Sequence, residues 1–90
     1  MNSFSWDPQK NEWLKENRDI SFERVVALIY EGEVLDIVQH PNRVKYPAQK
    51  MFILNIEEYA YLVPFIETHE HLFLKSIIAS RKATKRYLGD

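Results

Sequence analysis

The stretch "IIASRKATKRYLGD", residues 77–90, sets four cations, Arg81, Lys82, Lys85 and Arg86, into six positions directly after an apolar run. Such a cluster suits a phosphate, because the arginine fork pairs two of its oxygens at once. Ser80 stands at a helix N-cap position with good helix formers behind it. Arg81 and Lys82 then fall in a first turn, where unpaired N–H groups and the positive end of the helix dipole also favour an anion. The bland alternative is a solvated basic face whose cations cover nothing. Tyr87 can touch a bound ligand or pack back on the protein. Lys75 is expected mid-strand in "LFLKSIIA" and Lys50 at the start of "KMFILNI", where the two can share a sheet face. His71 and His40 stand at expected loop or strand ends, and imidazole is the side-chain type suited to proton transfer near neutral pH. Glu67 and Glu70 lie near His71, as bases or as solubilising turn residues.

The remainder of the chain bounds what such residues can serve. Ninety residues make one domain, 1–90, and the apolar content of 46% with 13% aromatic argues for a folded core. The net charge of −1 hides an asymmetry: the last twenty residues hold five cations against Asp90 alone. One surface is therefore expected to face an anion while the rest does not. There is no cysteine, which excludes disulfides and thiolate zinc sites. His40, His69 and His71 have no metal-ligand spacing, so neither metal nor cofactor is expected. The longest apolar run, Tyr59 to Ile66, is eight residues and contains Pro64, far below a membrane span of about 20. The first residues have no long apolar stretch of the kind a secretory leader carries. A soluble cytoplasmic protein is the expectation.

The elements that must position these side chains read in order. "SFSWD" is a short edge strand. Asp7 and Pro8 open a short exposed helix through "DPQKNEWLKEN". Ser21 opens a second helix, with Phe22, Val25, Val26 and Ile29 on one apolar face and Gly32 past its end. "EVLDIVQH" alternates as a strand, "HPNRVKYPAQ" is a turn-rich loop, and "KMFILNI", "EE" and "YAYLVPFIE" form a hairpin. Pro64 in that run signals a bulge or an edge. "LFLKSIIA" adds a last strand before the basic helix. The fold class expected is α+β, with helices on one face of a four-stranded antiparallel sheet. Tyr59, Tyr61, Val63 and Phe65 share a face. If that face is open, the tyrosines can stack bases; if it lies under helices, they are core. Trp6 and Trp13 flank the first helix and suit packing or partner contact.

Three ordered pieces resemble the BrnT family of bacterial toxins. Phe4, Trp6, Asp7, Lys10 and Asn11 match its F-x-W-D-x-x-K-N-like opening. Ser21, Phe22 and Glu23 match its S-F-E-E-like helix start. Ile77, Ile78, Arg81, Lys82, Ala83 and Thr84 match its I-I-S-A-R-K-A-T-like close. The resemblance implies a RelE-like fold and a ribonuclease toxin that blocks translation. It also implies a cognate antitoxin with a ribbon-helix-helix DNA-binding part.

Metal-independent cleavage of RNA needs a base for the 2′-OH, an acid for the 5′-oxygen and cations for the phosphorane charge. With the resemblance, Arg81, Lys82, Lys75 and His71 are the catalytic candidates, and Lys50, Lys85, Arg86 and Tyr87 the RNA-binding ones. Where the family commonly carries a K-H-G-like turn, this chain has "KENRDI". That departure, with the acidic balance of the rest, leaves an alternative: a catalytically inactive RelE-like binding module that only binds an antitoxin or another protein. An exposed edge strand at "SFSWD" or "EVLDIVQH" offers a route to a homodimer or to strand pairing with the antitoxin.

Overall fold

The computed structural model describes residues 3–89; Asp90, counted above against the terminal cations, lies outside them. The elements run β1 (Ser3–Trp6), α1 (Pro8–Arg18), α2 (Phe22–Tyr30), β2 (Val34–Gln39), β3 (Gln49–Ile56), β4 (Tyr59–Glu67), β5 (His71–Leu74), β6 (Ile78–Ala79) and α3 (Arg81–Leu88). The chain is α+β, but the sheet has six strands rather than the expected four. Its order is β1-β5-β4-β3-β2, with β6 paired to β4. It is also mixed, because β1 runs parallel to β5 while the other pairs are antiparallel.

Side chains signal where each helix begins. Asp7 accepts from the Gln9 N–H at 2.9 Å with Pro8 behind it, and Ser21 accepts from the Arg24 N–H at 3.1 Å. These caps satisfy donors that the first turn cannot pair internally. Between α1 and α2 the "KENRDI" segment turns without glycine: Asp19 itself takes the left-handed conformation, φ 55°. Asn11, buried on α1, ties the two helices together. Its Oδ1 accepts from the Phe22 N–H at 2.8 Å, and its Nδ2 donates to Glu23 Oε1 at 2.8 Å. That hydrogen bond from Asn11, helped by the Glu23 N–H and Lys15, holds the Glu23 carboxyl below its usual value.

The helix pair covers one face of the sheet. Leu14, Phe22 and Val25 pack there on Phe52, Leu54 and Val63, and Trp6 stacks on Phe22 at 5.7 Å. Tyr61 packs against this cluster and meets Tyr59 edge to face, so the core alternative holds for Tyr61. Helices on one face only is the second expectation to be corrected. In β3, Met51, Phe52, Ile53 and Leu54 are all buried, so both faces of the sheet need cover. On the far face α3 lays Ala83, Tyr87 and Leu88 against Ile53, Ala60 and Leu62.

Two register shifts shape the sheet. The expected strand "LFLKSIIA" is broken. Phe65 pairs Leu74 and Leu62 pairs Ile78, so Val63 and Pro64 face three residues, Lys75 to Ile77. The extra residue lies opposite Pro64, which has no N–H to give the ladder and accepts from the Lys75 N–H at 2.7 Å. A second shift lies in β2, where Val34 pairs Leu54 but Asp36 pairs Ile53, leaving Leu35 extra.

Asn11→Ala is expected to leave the buried Phe22 N–H without an acceptor and to cost about 1–3 kcal/mol. Urea unfolding measures it, and an unchanged midpoint would contradict the tie.

Candidate functional site

The α3 cations split into two rows, because residues four apart stack on one side of a helix. Lys82 and Arg86 line a cleft of about 410 Å³ between α3 and the sheet. Arg81 and Lys85 form the other row, exposed and outside that cleft. The helix itself is fixed at both ends of its first turn. Ser80 Oγ accepts from the Ala83 N–H at 3.0 Å. Thr84 Oγ1 donates to the Ser80 carbonyl at 2.7 Å and accepts from the Ala60 N–H at 2.8 Å. The Ser80 N–H donates to the Ala60 carbonyl at 3.0 Å. Thus α3 is stitched to β4, and the cations have a fixed platform.

Across the cleft stands Asp36. Strict alternation from Val34 would put it on the α1–α2 face beside Phe52. The extra residue Leu35 swings it to the α3 face, where it pairs with Ile53. Its Oδ2 accepts from the Tyr87 hydroxyl at 2.7 Å, and its Oδ1 from the Ile37 N–H at 2.8 Å. The Tyr87 hydrogen bond, then the Ile37 N–H and the Arg86 charge, hold the Asp36 carboxyl below its ordinary value. The same hydrogen bond to Asp36, with burial, pushes the Tyr87 phenol up. Arg86 lies 5.6 Å from the Tyr87 ring centroid, within cation–π range. Val38, Ile53 and Leu62 supply an apolar floor. The arrangement offers two cations, one committed carboxylate and an aromatic edge: a seat for a phosphate and a flat apolar group.

The other expected site residues are placed elsewhere. Lys75 is exposed in the irregular stretch between β5 and β6 rather than mid-strand. Lys50 lies on the opposite sheet face, 3.9 Å from Glu67, so it cannot share the α3 cleft. His71 opens β5 at the β1 edge, with Nδ1 2.9 Å from Ser3 Oγ. His40 accepts from the Asn42 N–H at 3.1 Å and packs on Tyr46. Of the eight candidates, Lys82, Arg86 and Tyr87 come together, and Asp36 joins them unforeseen. The sequence carries only one trace of it, an acid amid the apolar residues of "EVLDIVQH". No group of three or more metal-ligating side chains exists among the described residues. No family model, curated protein or solved structure matches the chain.

The linked shifts make a pH window. Asp36, with its folded pKa lowered, contributes stability above its ordinary 3.8, and this is lost as pH falls through the folded value. Tyr87, with its folded pKa raised, contributes below its ordinary 10.0, and this is lost as pH rises through the folded value. Ultraviolet titration should find one phenol ionising above that ordinary value, and Asp36→Asn should move it back down. A phenol indifferent to Asp36→Asn would contradict the pairing.

Proposed function

We propose that this chain is an RNA-directed toxin of the RelE-like class, a metal-independent ribonuclease that inhibits translation and is neutralised by a cognate antitoxin. The observation that carries the reading is the shared opening of Lys82 and Arg86 onto one cleft beside an aromatic side chain. An RNA phosphodiester entering there meets two cations. The phosphorane formed when the 2′-oxygen attacks phosphorus carries extra negative charge, which fixed cations stabilise more than they stabilise the ground state. The Tyr87 phenol is protonated at neutral pH, as phenols ordinarily are, and the hydrogen bond to Asp36 pushes its pKa further up. Its single O–H is already donated to Asp36 Oδ2, so Tyr87 serves the site as an aromatic wall beside the cations and not as a base. The sequence resemblance to BrnT toxins points the same way and supplies the expected antitoxin with a ribbon-helix-helix part. The unpaired outer edges of β1 and β2 are the places for such a partner to add a strand. No described helix is long and apolar enough to cross a membrane. A cytoplasmic location, where RNA and ribosomes are, belongs to the proposal.

A second reading is favoured by one feature of the same cleft. No histidine lines it, and its carboxylate is already committed to Tyr87 and the Ile37 N–H. A cleft with charge but no poised proton acceptor suits a module that binds without cleaving.

Induction in a bacterial host separates the readings. Wild type is expected to arrest growth and degrade RNA. Lys82→Ala/Arg86→Ala should relieve both, with RNA decay slowed about a hundredfold or more, the size expected for loss of charge stabilisation. Arg81→Ala/Lys85→Ala, an equal loss of charge on the outward row, should remain toxic. Folded wild type without arrest would favour the binding module. Equal relief by both pairs would remove the cleft from the explanation.

A further inference from the structure

We propose that the α3 cleft is a base-reading subsite that prefers guanine, with Asp36 as the residue that reads the base. The inference rests on the RNA reading above and names the substrate feature the same cleft selects. Its starting point is an oddity. A carboxylate lines a cleft whose other charges, Lys82 and Arg86, attract phosphate. An acid there weakens binding of any polyanion unless it contacts something that donates hydrogen bonds.

The geometry supplies that role. Each Asp36 oxygen accepts one hydrogen bond from the protein, Oδ1 from the Ile37 N–H and Oδ2 from the Tyr87 hydroxyl. A carboxylate offers about four acceptor positions, so one on each oxygen is left. The two protein bonds fix the orientation of the group. Two donors on one ligand edge can satisfy both free positions at once, as an arginine fork does on a carboxylate. Among the four RNA bases only guanine presents two adjacent donors, N1–H and the 2-amino group, with no acceptor between them. Adenine and cytosine each set one amino donor beside a ring-nitrogen acceptor, and uracil sets one N–H between two carbonyls. The latter three would press a lone pair against the carboxylate. Val38, Ile53 and Leu62 give the flat face of a base an apolar surface, and Lys82 and Arg86 stand where its phosphate would be held. A volume of about 410 Å³ lies within the range of small-ligand sites, about 300–1,000 Å³.

The test uses purified full chain and four uridine hexamers, 2′-O-methylated so that they are not cut. One central position carries uridine, adenosine, guanosine or inosine, and binding is followed by fluorescence anisotropy. The guanosine hexamer should bind about tenfold more tightly than the adenosine one, as a charged hydrogen bond gained would give. Inosine, which lacks the 2-amino group, should lose most of that gain. Asp36→Asn should bring all four within about twofold of each other, because the roughly tenfold gain of the charge-assisted bond is lost. Tyr87→Phe, which keeps the carboxylate but removes one of its two anchors, should narrow the guanosine preference while leaving guanosine first. A guanosine preference that survives undiminished in Asp36→Asn would overturn the assignment. Equal binding of all four hexamers by wild type, abolished in Lys82→Ala/Arg86→Ala, would overturn the base preference while leaving RNA binding in place. No binding of any hexamer would overturn both.

Discussion

The sheet must bury two faces with three helices. β3 carries Met51, Phe52, Ile53 and Leu54 in sequence, and every one is buried, so its apolar side chains point both ways. α1 and α2 cover one face with a large cluster around Phe22, Leu54 and Val63. The second face is left to α3, an eight-residue helix whose apolar contribution is narrow: Ala83, Tyr87 and Leu88. Apart from Thr84, what remains of α3 is cationic and must lie beside that small contact. The positive charge is thus concentrated where a helix is needed for packing, and Lys82 and Arg86 border the contact itself. Covering the sheet and forming the cleft are one event.

A single inserted residue decides what the cleft contains. With Leu35 in regular register, Asp36 would face the Phe22 cluster, an ion among apolar groups at high cost. With Leu35 bulged, the carboxylate meets Tyr87, fifty-one positions away along the chain, and gains the Ile37 N–H as well. The second shift, opposite Pro64, solves a different problem: a central strand whose proline cannot donate. Lys75 still bonds the Pro64 carbonyl, and its exposed side chain lies outside the cleft that Lys82 lines.

These causes explain what the sequence disclosed. The caps at Asp7, Ser21 and Ser80 were legible because capping is local, set by a side chain and an N–H two or three residues on. The turn at Glu57 and Glu58 was legible for the same reason. The pairing of β1 with β5 and the side of the sheet that α3 covers depend on contacts across the whole chain. One clue to the latter lay in "MFIL", since a continuous apolar run is what a strand buried on both faces displays. Asp36 was illegible because a strict two-residue alternation gives the wrong face, and no local residue announces the bulge at Leu35. The residues carrying the family resemblance prove to be largely architectural. Trp6 stacks on Phe22, Asn11 ties α1 to α2, and Thr84 stitches α3 to β4. Among them Lys82 also lines the α3 cleft, beside Arg86, Tyr87 and Asp36.

The central claim is that the inward row of α3, and not the chain's charge at large, holds RNA phosphates. The most direct measurement is the salt dependence of RNA affinity in wild type and in Lys82→Ala/Arg86→Ala. Two phosphate contacts on single-stranded RNA should shallow the slope of log affinity against log salt by about 1.4 when both are removed. A slope left unchanged by the double substitution would contradict the claim and put RNA binding, if present, on another surface.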